Sequence, residues 1–179
     1  MTGRIPARAA AIAVVGLLLG GCGIGAAPAS IAAPAPSPSP SVSAAIAGTA
    51  ARISAALGTS GLQLSVPQVA FRPAESPLLA AAPRAIYQVQ LPDDQEHGFV
   101  VVYEFPDPPA ATAAAQEQVA YVQSGPGRVQ FPTDAQFVFR QLGSTLVFYD
   151  WSPSAATDPR APDIAAALAT VGQGFTIQG

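Results

Sequence analysis

The sequence predicts an α+β domain: an antiparallel sheet with helices on one face, built from two ββα units that follow a first helix and strand. Three observations support this. Several short stretches alternate apolar and polar residues, several longer ones repeat at helical spacing, and the order strand-strand-helix occurs twice. Between Val101 and Trp151 the repeat is visible in the letters. "VVYEF" (101–105) parallels "VFYDW" (147–151), and "AAT" follows both, at 110–112 and 155–157. "VQL" (89–91) and "RQL" (140–142) precede the second strand of each unit.

The elements follow in order. Ile46, Ala50, Ile53 and Leu57 fall on one face of a helix over 45–57, and Gly58 stops it. A short strand is expected over 62–66, then a proline- and alanine-rich connection over 67–84 with Leu78 and Leu79 tucked onto the core. Tyr87, Val89 and Leu91 share one face of a strand over 86–91, with Gln88 and Gln90 on the other. Phe99, Val101, Tyr103 and Phe105 share a face of the next strand, over 98–105, and "PDDQEH" reads as a polar hairpin loop between the two. Asp107-Pro108 is a helix start, a capping side chain followed by a residue with φ preset. Ala111, Ala115, Val119 and Val122 make the stripe of that helix, and "SGPGR" ends it. A second hairpin pairs 136–140 with 145–151 around Leu142-Gly143. Pro162 opens a helix bearing Ile164, Leu168 and Val171, Gly172 closes it, and 173–178 reads as a last short strand.

Ahead of this domain, residues 1–21 read as an export signal. Arg4 and Arg8 precede an apolar run over 9–19 that is shorter than the roughly 20 residues a membrane-spanning helix needs. Leu19, Gly20, Gly21 and Cys22 resemble a lipobox, the cleavage motif of bacterial lipoproteins. The resemblance implies a diacylglyceryl group on the Cys22 thiol, cleavage before Cys22, and acylation (often palmitate) of the new amino terminus. Each residue type suits that chemistry: the thiol is the nucleophile, the glycines admit an extended backbone to a peptidase, and Leu19 gives an apolar contact. Two or more acyl chains anchor stably where one binds marginally, at about 0.8 kcal/mol per buried CH₂. Gly23 is not the aspartate that would favour inner-membrane retention, so the final membrane stays open. Residues 22–44 form a linker with prolines at 28, 34, 36, 38 and 40, extended and partly polyproline-like. Residues 45–179 are a single domain.

Composition excludes several classes. Cys22 is the only cysteine, so neither an internal disulfide nor a cysteine zinc cluster can form. There is no lysine, and the six arginines after Cys22 face eleven acids, so no basic surface exists for nucleic acid. No cofactor motif is present and no cofactor is expected. The expected partners are a membrane, through the lipid anchor, and an envelope protein or small ligand.

The stretches "RAIYQVQLPDDQEHGFVVVYEFPD", "SGPGRVQFPTD" and "LVFYDWSP", most of 83–153, resemble small bacterial lipoproteins of unknown function. That resemblance implies a signal, a linker and a compact α+β domain. It brings no activity and no catalytic residue.

Few residues suggest chemistry. Asp93, Asp94, Glu96 and His97 lie together, and oxygen and imidazole ligands are what a metal needs. Their spacing is not that of a Ca²⁺ loop, and a solvated hairpin tip is the simpler reading. A serine hydrolase would have to use His97, the only histidine, and no Gly-x-Ser-x-Gly turn presents Ser144 or any other serine. Glu104 and Asp150 fall at equivalent positions of the two repeats. Paired carboxylates can hydrolyse glycosides when they stand roughly 5–10 Å apart in a cleft; otherwise both point to solvent or pair with an arginine such as Arg140. "GPGR" (125–128) suits a tight turn, or a nest of backbone donors for an anion. Tyr103, Tyr149 and Trp151, with Tyr87 and Phe105, belong to the core unless one sheet face is open, when they would form a patch for a ligand or partner. The sequence therefore predicts a lipid-anchored cell-envelope protein outside the cytoplasm, non-catalytic, with a binding or accessory role. The alternative is an extracytoplasmic hydrolase or metal-dependent enzyme using acids of the sheet and hairpin loop.

Overall fold

A computed structural model describes residues 42–175. The expected signal, the expected lipobox (Leu19, Gly20, Gly21 and Cys22), most of the expected linker and the end of the expected last strand lie outside the described residues. Among the described residues no helix is long and apolar enough to cross a membrane.

Six antiparallel strands form one sheet in the order β1-β2-β3-β5-β4-β6. They are β1 (Leu64–Ser65), β2 (Arg84–Val89), β3 (Phe99–Glu104), β4 (Gln136–Leu142), β5 (Thr145–Trp151) and β6 (Gln173–Gly174). The helices are α1 (Ala44–Gly58), α2 (Pro77–Ala81), α3 (Pro108–Gln123), the single-turn α4 (Gly125–Arg128) and α5 (Ala161–Ala169). The α+β class and nearly every element match the sequence reading. Segment 67–84, expected as plain connection, contains α2, which buries Leu79 and leaves Leu78 exposed.

The helices cover both faces of the sheet, not one. On one face Ile46, Ile53 and Leu57 of α1 and Ile164 and Leu168 of α5 pack on Val89, Val100, Val102, Val147 and Tyr149. On the other, Leu79 of α2 and Ala114, Ala115 and Val122 of α3 pack on Val101, Tyr103, Phe139, Leu146 and Phe148. The sequence carried the sign of this in β3: "FVVVY" is apolar without a break, as a strand buried on both sides must be. Alanines at the inner face of α3 let its backbone sit close above the large rings of Tyr103, Phe139 and Phe148.

The apparent duplication also changes. Val102 faces Val147, and Val101 faces Phe148. Matching Val101 with Val147 and Tyr103 with Tyr149, as the letters suggest, pairs residues on opposite faces, because a slip of one residue reverses every side chain. The helix after each hairpin likewise covers the opposite face. Both ββα units exist, but the letter-by-letter repeat does not superpose them.

Local chemistry fixes the ends. Ser43 Oγ accepts from the Ile46 N–H at 3.2 Å, and Asp107 Oδ1 accepts from the Ala110 N–H at 2.8 Å, each cap worth about 1 kcal/mol. Thr145 donates to the Leu142 carbonyl at 2.9 Å, so its other contact, 2.7 Å from Thr49, has Thr49 of α1 as donor. Arg140 Nε and Nη2 donate to the carbonyls of Val171 and Gly172, both at 2.6 Å, closing the chain after α5 onto β4. Gly172 has φ +61°, and a Cβ there would stand 2.3 Å from the Gln141 carbonyl oxygen.

Gln118 of α3, with no solvent exposure, clasps the segment before α2. Its Oε1 accepts from the Ser76 N–H at 2.6 Å and its Nε2 donates to the Ala74 carbonyl at 2.8 Å. Gln118→Leu would keep the volume and strand both backbone groups. Each such group costs about 1–3 kcal/mol when buried, so urea unfolding is expected to show a loss of roughly 2–4 kcal/mol. A loss below about 0.5 kcal/mol would show that Gln118 does not hold the segment.

Candidate functional site

The hairpin loop between β2 and β3 is a structural clasp. Asp94 is buried; its Oδ1 lies 2.6 Å from His97 Nδ1, and its Oδ2 accepts from the Thr157 N–H at 3.1 Å. Thr157 Oγ1 donates to the Asp93 carbonyl, and the Asp93 N–H reaches Asp158 Oδ2. Asp158 also takes Nε and Nη2 of Arg160. Burial opposes ionisation of Asp94, but the His97 and Thr157 bonds outweigh it and hold the carboxyl below the usual range. Asp94 thus ties the loop to the segment that leads into α5, while Asp93, Gln95 and His97 around it are exposed, as a solvated tip would have them. Glu96 stays exposed. Among the described residues no group of three His, Cys, Asp or Glu side chains is placed to hold a metal, and Asp93, Asp94, Glu96 and His97 are not brought together as one.

The proposed aromatic patch is also absent. Tyr103 and Tyr149 are 0% and 1% exposed, because each lies under a helix layer. Trp151 is half-buried against the α1–α5 side, and its indole N–H is buried with no acceptor among the described residues. The "GPGR" segment folds as α4. Gly127 is needed because a Cβ there would stand 1.9 Å from the Tyr121 carbonyl oxygen. Arg128 donates to the Thr133 carbonyl at 2.5 Å, so its guanidinium is used within the loop.

Glu104 and Asp150 do not converge. Glu104 alternates with Val100 and Val102 on the α1–α5 side, while Asp150 alternates with Leu146 and Phe148 on the α2–α3 side. Asp150 is nevertheless the most unusual charge in the domain. It stands opposite Phe137 of β4, and the β3–β5 register carried one step past Val100–Tyr149 sets Phe99 on its other side. Phe71 stacks on Phe99 with ring centres 4.2 Å apart, and Phe131 meets Phe137 edge-on at 4.8 Å. Phe99 and Phe137 thus stand on the strands to either side of Asp150, each with a second ring packed on it. Above it opens a cavity of about 240 Å³ lined by Phe71, Arg72, Pro73, Ala74, Gln130, Phe131 and Asp150.

No hydrogen bond or ion pair reaches the Asp150 carboxylate among the described residues. Burial raises its pKa to about 6, and only the charge of His97 pulls the other way. Glu75, also poorly exposed, differs: its carboxylate pairs with Arg84 at 3.3 Å. Burial, and next Glu75, push the Tyr103 hydroxyl far above its ordinary range. Larger hollows lie elsewhere. One, beside α1, has its charge on the exposed Arg52; a second, beside β1, is lined by Gln68, Gln88 and Gln95, which are bonded to one another; a third, between α2 and α3, is lined mostly by alanines and prolines, with Leu78, Glu104 and Phe105. Sequence reading named Asp150 but not its surroundings, since Phe71 and Phe131 come from two connecting segments with no periodicity.

No protein-family model matches the chain, and neither a curated protein nor a solved structure matches it.

A carboxyl whose folded pKa lies above its unfolded value lowers stability as it ionises. The cost is absent below about pH 4 and complete above the folded pKa. Asp150→Asn is expected to be about 1–3 kcal/mol more stable than the parent at pH 7.5 and equal to it at pH 4. Thermal unfolding across that range measures both. A variant less stable at pH 7.5 would mean that the carboxylate has partners that stabilise its charge.

Proposed function

We propose that this protein is an exported, lipid-anchored envelope protein outside the cytoplasm whose folded domain binds a small ligand or partner and does not catalyse a reaction. The Leu19-Gly20-Gly21-Cys22 pattern behind a short apolar run supports the anchor. The observation that carries the binding reading is the Asp150 cavity, where one charge without a partner among the described residues faces an opening walled in part by aromatic rings. Hydrolysis needs a second proton carrier or a nucleophile in the same cleft. The other acids near that end of the sheet are committed elsewhere: Asp94 to His97 and Thr157, Asp134 to Ser152 and Ser154, Asp158 to Arg160. His97, the only general base of its kind in the chain, is held at the clasp. The linker would let the domain stand off the membrane, with the cavity free to meet ligands in the envelope space.

The anchor is tested by intact mass and detergent-phase partitioning of the protein expressed in a bacterial host, beside Cys22→Ser. A diacylglyceryl-modified chain beginning at Cys22, entering the detergent phase only when the cysteine is present, is the expected result. An unmodified wild-type chain in the aqueous phase would remove the anchor from this reading.

A further inference from the structure

Asp150 is half-buried, and no donor among the described residues reaches its carboxylate. Two rings, Phe71 and Phe131, wall the cavity beside it, and the faces of aromatic rings carry partial negative charge that attracts cations. An anion would be repelled by the carboxylate. A hard metal ion would need several more oxygen ligands than this cavity offers, and no group of metal ligands forms among the described residues. A neutral apolar ligand would leave the charge more deeply desolvated than before. An organic cation satisfies both features together, its charge meeting the carboxylate and its alkyl groups lying on Phe71 and Phe131. The volume, about 240 Å³, is below the roughly 300–1,000 Å³ of sites for drug-sized ligands, and so suits a head-group-sized molecule.

We propose that the cavity between Phe71 and Phe131 binds a small organic ammonium ion, with Asp150 as its counter-charge. The proposal rests on the binding-module reading above and names the ligand chemistry of that module. Arg72 refines it. Its side chain is exposed, it lines the same cavity, and it forms no ion pair among the described residues. A positive group there disfavours polyamines and favours an ammonium that carries an acid group a few bonds away.

The test is calorimetric titration of the full chain in a non-ionic detergent. Glycine betaine is one probe. The other is 3,3-dimethylbutanoate, which has the same shape and carboxylate and replaces only the quaternary nitrogen by carbon. Glycine betaine is expected to bind with a millimolar or tighter Kd, and the carbon isostere about tenfold or more weakly. Asp150→Asn, which conserves shape and is expected to remain folded, should lose about tenfold for glycine betaine and abolish the preference. Phe131→Leu should weaken glycine betaine severalfold while leaving the isostere little changed. Equal binding of the two probes by the wild type overturns the proposal, as does an Asp150→Asn variant that binds glycine betaine undiminished, or no binding of glycine betaine at about 50 mM. Retention of the Cys22→Ser chain on phosphatidylcholine vesicles, abolished by Asp150→Asn, would assign the ammonium to a lipid head group. Binding of dissolved glycine betaine without such retention would assign it to a free solute. Failure here leaves the anchor untouched, since partitioning at Cys22 measures that separately.

Discussion

Val101, Val102, Leu146 and Val147 stand at the middle of the sheet, two on each face, and all four are buried. Two-sided burial of β3 and β5 is the constraint on which the rest depends. Each fully buried valine or leucine contributes about 1.5–3 kcal/mol only while both helix layers stay in place. The layers must therefore be tied down. Thr49 ties α1 to Thr145, Gln118 ties α3 to the segment before α2, and the Asp94–His97–Thr157 clasp ties the β2–β3 loop to the start of α5. Charged side chains are few, and Arg140 and Asp134 among them are likewise spent on bonds between elements.

That economy is what makes Asp150 informative. In a chain where only 11% of residues are charged, a carboxylate raised by burial and left without a donor is a standing cost. It would be relieved by asparagine, by a neighbouring arginine, or by a ligand. Arg72 is near enough to line the same cavity and forms no ion pair among the described residues. Unrelieved desolvated charges beside a cavity are characteristic of binding sites, where the ligand supplies what the fold omits.

Most of the fold was legible in the sequence because its signals are local. Asp107-Pro108 caps α3, Gly172 closes the chain after α5, and alternation assigned Tyr87, Val89 and Leu91 to one face as found. The error over helices on one face arose from reading Phe99 to Phe105 as a one-sided strand, when Val100 and Val102 are as apolar as Val101 and equally buried. The supposed repeat misled because letters record residue type and not the strand register, and one step of register exchanges the faces. Tyr103 and Tyr149 followed from that error: with a helix layer on each side they have no surface to offer. The Asp150 site was half legible. Its acid was noticed as one of a pair, but its walls, Phe71 and Phe131, lie about 79 and 19 positions earlier in irregular chain. Only the folded arrangement joins them.

The cavity can select a cation through Asp150 only if that carboxylate is desolvated and without a partner in the free protein. Carboxyl-carbon NMR titration of the full chain, with Asp150 assigned by comparison with Asp150→Asn, measures this without any ligand. A midpoint near 6, well above the ordinary aspartate value, is expected. A midpoint at or below about 4 would mean that water or a protein donor already satisfies the carboxylate. The ring-walled cavity would then have no unmet charge with which to select a ligand.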